Sequence, residues 1–231
     1  MKVRVKFSKY GPVKFIGHLD VMRYFQKAIR RAEIDIAYSE GFSPHQIMSF
    51  AAPLSVGHTS EGEYLDMELN TFTSKADLIQ RLQAVMVEGI DIIDVQLLKE
   101  GEGNAMASVK AASYLITFRD EISLPKDWQD KLNTFYRQPL ISVVKKTKKG
   151  EKEINLKDSI YELEIRKDSN IYMLLDASSG GNIKPGFVLD CFFETLKFKL
   201  PEFAFMVHRV ETYKNIGTEE ERKLVPLIWE K

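Results

Sequence analysis

Cysteine is all but missing from this chain: Cys191 is the only one among 231 residues. One thiol forms no intrachain disulfide, and no group of three cysteines exists to hold an iron–sulfur cluster, which points to a reducing compartment. Net charge is missing too, with 33 basic residues against 33 acidic ones. The field of the whole molecule therefore gives no reason for tight nonspecific binding to a polyanion, and any nucleic-acid contact must come from a local patch. No apolar run approaches the roughly 20 residues that span a bilayer. The opening Met-Lys-Val-Arg-Val-Lys alternates apolar and basic residues without the apolar core of a signal peptide. A soluble, cytoplasmic protein with no membrane partner is the expectation. What is abundant is core material: 44% of the residues are hydrophobic, enough at this length for two domains of ordinary size.

The pattern along the chain predicts an α+β protein. Val3, Val5 and Phe7 alternate with Lys2, Arg4 and Lys6, the period of a half-buried strand. From Asp20 to Ala32, apolar Val21, Met22, Phe25, Ala28, Ile29 and Ala32 recur at helical spacing, with Arg23, Lys27, Arg30 and Arg31 opposite. Strands are expected over residues 46–52, 63–69 and 90–97, with a helix from a Thr73 or Ser74 cap to about Val87. The order is β-α-β-β-α-β. The run 99–108, poor in apolar bulk and carrying two glycines, reads as a linker. Beyond it the order repeats: strand 113–118, helix 126–136, strand 141–144, strands near 161–166 and 171–175, a helix opened by Pro185, and strand 203–210. Two tandem ferredoxin-like (β-α-β-β-α-β) sandwich domains are expected, at residues 1–99 and 109–216, with an unassigned tail at 217–231.

Polar chemistry concentrates in the loops flanking the first helix, Phe7-Ser-Lys-Tyr-Gly-Pro-Val-Lys-Phe-Ile-Gly-His-Leu-Asp20 and Ala37-Tyr-Ser-Glu-Gly-Phe-Ser-Pro-His45. Loops on a rigid scaffold are where binding groups usually sit. His18, His45 and His58 match no short ligand motif, so no metal and no cofactor are expected. An imidazole beside Tyr38 or Ser43 is able to shuttle a proton; the plainer reading has His18 capping its helix or bonding a loop carbonyl. The basic stripe of the first helix, with Lys9 and Lys14 nearby, suits phosphate, while outward helix faces are also commonly charged for solubility. A second basic run, Lys145 to Lys152, joins two strands and projects a basic hairpin that includes Lys148 and Lys149 and is able to grip a phosphate backbone. Ser178-Ser-Gly-Gly-Asn-Ile-Lys-Pro-Gly186 lacks the spacing of a nucleotide-binding loop and leaves only a small anion site. Cys191, beside Phe192 and Phe193, reads as a buried small hydrophobe.

The segments 7–20, Arg30-Arg31-Ala32, Tyr38-Ser-Glu-Gly-Phe-Ser-Pro-His45, Ser49-Phe50, Pro53-Leu54 and Glu63-Tyr-Leu-Asp66 resemble the radical-SAM-linked protein family, as do residues 146–156 and 184–189. Gly17, Ser43 and Gln46 depart from residues common in that family. The resemblance implies a bacterial domain that works with a radical-SAM protein and lies near genes of RNA processing. It implies that the cluster and the radical chemistry belong to that partner. Tandem ferredoxin-like domains also build metal-independent endonucleases that process repeat RNA, an analogy of fold alone.

The expected function is therefore a non-catalytic accessory protein that recognises a substrate, tRNA or rRNA, for a radical-SAM enzyme. Its binding set is Lys9, His18, Asp20, Arg23, Tyr38, Ser43 and His45, with Lys148 and Lys149 as peripheral grips. The alternatives are a metal-independent ribonuclease using His18, Tyr38 or His45, and a protein-docking scaffold.

Overall fold

The alternation of Val3, Val5 and Phe7 builds the strand β1 (Lys2–Lys9), and all three side chains are buried. A computed structural model describes residues 1–147, 150–218 and 220–229, with backbone alone at 146 and 147. The chain divides into two compact units: Met1–Lys110 together with Arg209–Lys231, and Ala111–His208.

In the first unit β1 leads to α1 (His18–Arg31), β2 (Met48–Phe50), β3 (Thr59–Glu68), α2 (Lys75–Gln83) and β4 (Ile92–Leu97). β1 lies between β3 and β4, antiparallel to both, and β2 pairs antiparallel with β3. α1 buries Val21, Phe25, Ala28 and Ile29. Phe25 packs 4.8 Å from Phe7 and 5.6 Å from Phe50, ring centre to ring centre, which seats the helix on the sheet. Ser74 caps α2 by accepting a hydrogen bond from the Asp77 amide.

Through β4 the element order is as expected, and the boundaries shift. α1 begins at His18 rather than Asp20, β2 keeps three residues of the seven expected, and β3 starts four residues earlier, at Thr59. The run 99–108 is no free linker. It carries the short helix α3 (Ala105–Ser108), Ala105 is fully buried, and its amide donates to Asp66 Oδ2 at 2.7 Å.

The second unit contains β5 (Ala111–Phe118), α4 (Trp128–Arg137), the hairpin β6 (Ser142–Thr147) and β7 (Gly150–Asn155), β8 (Ile160–Ile165), β9 (Ile171–Asp176) and α5 (Pro185–Thr195). β9 pairs antiparallel with β5 on one side and β8 on the other. β6 and β7 form a separate two-stranded sheet. Its return strand, polar Gly-Glu-Lys-Glu-Ile-Asn, was not among the strands expected from sequence. Trp128, Leu132, Phe135, Phe192 and Phe193 are in the core of this unit.

β10 (Phe205–Asn215) begins in the second unit and continues in the first from Arg209. In the first unit β11 (Leu224–Pro226) pairs antiparallel with β10, and Leu227 behind it is fully buried. The division of the chain thus differs from 1–99, 109–216 and a tail: residues 100–110 and the segment beyond 217 both belong to the first unit. The architecture is α+β. Among the described residues, no helix is long and apolar enough to cross a membrane.

Candidate nucleic-acid interface

Residues 23, 27 and 30 are four and three positions apart, so their side chains share one helix face. In α1 that face is solvent-exposed and carries Arg23, Lys27 and Arg30. Arg23 meets Asp20 at 3.3 Å, both side chains being mostly exposed, a pair that water leaves weak. Asp20 also lies in the first helical turn, where a carboxylate suits the exposed amides. Arg31 is turned elsewhere: its guanidinium donates to the Val85 carbonyl at 3.2 Å and lies 5.8 Å from the Tyr24 ring centre.

Beside this stripe the chain makes a small hairpin. The Ile47 amide donates to the Ala37 carbonyl and the Ser39 amide to the His45 carbonyl, each at 2.9 Å, with Tyr38 bridged to Gln46. Gly41 at φ +105° supplies a backbone conformation that other residues rarely adopt, which lets the tip turn. Tyr38 is half exposed and Phe42, at the tip, is fully exposed. Gln46 fastens the hairpin: its side-chain amide donates to the Gln26 carbonyl at 3.3 Å, the same oxygen that accepts from Arg30 Nε at 3.3 Å. An aromatic-bearing loop and a basic stripe therefore meet at one carbonyl of α1.

The histidines do not join that arrangement as expected. His45 Nδ1 lies 2.8 Å from Ser39 Oγ, and the same oxygen accepts from the His45 amide at 3.1 Å. This contact resembles a nucleophile and its base, yet it closes the loop on itself and involves neither Tyr38 nor Ser43. Ser43 is exposed. Gly17, not His18, is the cap residue of α1, and among the described residues the His18 imidazole bonds no carbonyl; it packs edge-on to Phe50 with ring centres 5.3 Å apart. Among the described residues, no three His, Cys, Asp or Glu side chains are grouped to hold a metal.

Lys9 leaves the binding set. It is 2% exposed, and its ammonium donates to the Ile16 carbonyl at 2.8 Å. Burial lowers its pKa, with the charge of Glu63 acting in the opposite sense. The crevice between Lys9, His18 and Glu63 has a volume of about 10 Å³, too small for a phosphate. Glu63 is itself paired with Arg209 at 2.9 Å.

A family model described as an uncharacterized protein conserved in bacteria, DUF2344, matches residues 2–185. The chain belongs to the DUF2344 family. No curated protein matches this DUF2344 chain. Among solved structures, a chain of the crystal structure of a Cbf5-Nop10-Gar1 complex aligns with a TM-score of 0.46 at 8% identity, over 91% of the DUF2344 chain and 48% of the other. The DUF2344 chain thus spans about half the length of that neighbour.

In the second unit of the DUF2344 chain, Lys148 and Lys149 lie outside the described residues. Lys145 is spent on the Gly181 and Asn182 carbonyls, at 2.9 and 3.1 Å. The glycine-rich loop is filled by a carboxylate of its own: Asp176 Oδ1 accepts from the Ser178 amide at 2.8 Å, and a side chain at Gly181 would strike the same carboxyl group. An anion is repelled there. Cys191 is half-buried rather than fully buried, and burial, then the charges of Glu194 and Asp190, push its thiol up to about 11. A thiol in that state is a poor nucleophile.

The sequence places Lys27 and Arg30 on the same face as Arg23 without marking them as candidate binding residues, and it gives Phe42 no role. The signal for Phe42 was present: an aromatic between Gly41 and Ser43, in a loop of turn formers, has no core to enter. Phe15, 66% exposed with Lys14 Nζ 5.1 Å from its ring centre, carries the same signal.

Proposed function

We propose that this protein is a non-catalytic RNA-recognition protein of the bacterial cytoplasm that presents tRNA or rRNA to a radical-SAM enzyme. The observation that carries the reading is the joining of the exposed Arg23–Lys27–Arg30 stripe to the hairpin that displays Tyr38 and Phe42. Arginine and lysine neutralise phosphates without regard to sequence. Exposed aromatics give unpaired bases a surface to stack on, as in proteins that bind single strands. Ser43, next to Phe42 and exposed, offers a hydrogen bond to a base edge.

The partner comes from the resemblance of residues 7–20 and 38–45 to the radical-SAM-linked family. A lone, poorly reactive thiol agrees with leaving the cluster to the partner. Each unit is read as a ferredoxin-like sandwich, in support of which β1 lies between β4 and β3 with β2 beyond, and β9 lies between β5 and β8.

The test is crosslinking and sequencing of RNA bound to the tagged protein in its bacterial host, with and without the radical-SAM protein. A discrete tRNA or rRNA site that weakens in the Arg23→Ala/Arg30→Ala/Phe42→Ala variant supports the reading. Background RNA alone, unchanged by the variant, contradicts it.

A further inference from the structure

The second unit holds an open groove of about 1060 Å³ whose walls have different origins. Along one wall run four consecutive residues of β6, Ser142 to Lys145. Neighbouring side chains of a strand point to opposite faces, so four in succession line a groove only where the strand is presented edge-on. β6 has β7 as its strand partner, and among the described residues its other edge carries no strand. The opposite wall is one face of α5: Phe187, Asp190, Cys191, Glu194 and Thr195, at spacings of three, one, three and one.

A groove between an unpaired strand edge and a helix is the geometry in which proteins take up an extended peptide as an added strand. Leu140 and Val144, on the β6 side, are 61% and 55% exposed, more apolar surface than a solvated hairpin needs. The lining charges are unevenly satisfied. Lys145 is engaged by main-chain carbonyls, and Glu153 accepts from the Ser142 hydroxyl. Asp190 and Glu194, one helical turn apart, have no cation within ion-pair distance among the described residues; Lys184 caps the start of the helix, and Lys197 and Lys199 border a second hollow with both carboxylates. Desolvation, then the charge of Glu194, raises the pKa of Asp190, a cost that an incoming cation relieves.

We propose that this groove takes an extended basic segment of a partner protein, which pairs with the free edge of β6, lays aliphatic side chains on Leu140, Val144 and Phe187, and directs an arginine or lysine at Asp190 and Glu194. The groove is a protein-docking site built separately from the stripe on α1, and the proposal does not depend on RNA binding there.

The test is selection of random dodecapeptides displayed on phage against the full-length protein, followed by fluorescence anisotropy of a selected peptide. The expected peptides alternate aliphatic residues with Arg or Lys. Their affinity falls about tenfold or more in Asp190→Lys/Glu194→Lys, falls also in Val144→Asp, and is unchanged in Arg23→Ala/Arg30→Ala. Both groove variants alter exposed residues, and their circular dichroism is expected to match the parent. Selection of no peptides, selection of peptides without basic residues, or affinity untouched by the groove variants overturns the proposal. So does competition by an RNA oligonucleotide, or a concentration-dependent dimer abolished by the same variants, which would assign the groove to RNA or to a second copy.

Discussion

The side chain of Gln46 donates to the main-chain carbonyl of Gln26 at 3.3 Å, and this bond moors the loop carrying Tyr38 and Phe42 to the middle of α1. Gln46 is 5% exposed, and its own carbonyl oxygen has no protein partner among the described residues. The residue therefore gives up solvation at Oε1 to hold the loop.

Gln46→Met removes the unpartnered oxygen and the bond to Gln26 together, and two readouts tell their effects apart. It removes a buried polar atom without a partner, whose desolvation costs about 1–3 kcal/mol, and keeps the volume. Thermal stability is expected to stay level or rise, while RNA affinity falls several-fold because the hairpin loses its mooring. Calorimetry and RNA titration on the same sample read both; a drop in stability with RNA affinity intact contradicts the account.

Phe42 is fully exposed and buries nothing in the fold. Phe42→Ala is expected to leave the urea midpoint unchanged and to cost about 1–3 kcal/mol of single-stranded RNA binding, the worth of one stacked base. Phe42→Trp is expected to retain binding, since the loss is one of stacking surface.

Arg4 is fully buried and forks onto both carboxylate oxygens of Asp66, at 2.8 and 3.0 Å, while donating to the Gly103 and Leu227 carbonyls. Arg4→Met leaves Asp66 buried with only the Ala105 amide among the described residues, a loss expected at about 3–5 kcal/mol from removing one side of a buried pair. Arg4→Met/Asp66→Leu is expected to be less destabilised than Arg4→Met alone. Urea midpoints check the order; a single variant as stable as the parent would show that the fork does not hold the strap 99–108 and the C-terminal segment to the sheet.

The Cys191 thiol is raised from 9.0 to about 11 in the folded protein, by burial first and by Glu194 and Asp190 after it. The folded state keeps this proton where the unfolded state has released it. Its contribution is complete below pH 9, declines as pH rises beyond that, and is lost through about 11. Cys191→Ala is expected to flatten the alkaline decline of stability over that window. Thiolate absorbance of the folded protein is expected to rise near pH 11, and a midpoint below 9 would refute the assignment.

The core of α1 was legible because Val21, Phe25, Ala28 and Ile29 recur at helical spacing, and the face opposite had to be solvent. β1 was legible only by half. Its alternation marks Val3, Val5 and Phe7 as inward but makes Arg4 look solvated, and a sequence does not reveal that Asp66, Gly103 and Leu227 converge on it from three distant segments. Lys9 misled for the same reason, since its partner carbonyl at Ile16 exists only once the loop has folded back. β11 escaped notice because three residues ending in Pro226 carry no periodicity; their pairing with β10 creates the strand. The hairpin 37–47 was recognised as a loop from Gly41, Ser43 and Pro44. Its attachment to α1 rests on Gln46, a residue type that no local pattern singles out.

The most direct test of the central claim is the salt dependence of binding to a labelled single-stranded RNA, comparing the parent with Arg23→Ala/Lys27→Ala/Arg30→Ala. Each phosphate contact on a single strand contributes a slope of about 0.7 in log affinity against log salt. The account predicts weaker binding and a slope shallower by about 2. An unchanged slope, or a parent that does not bind, would contradict it.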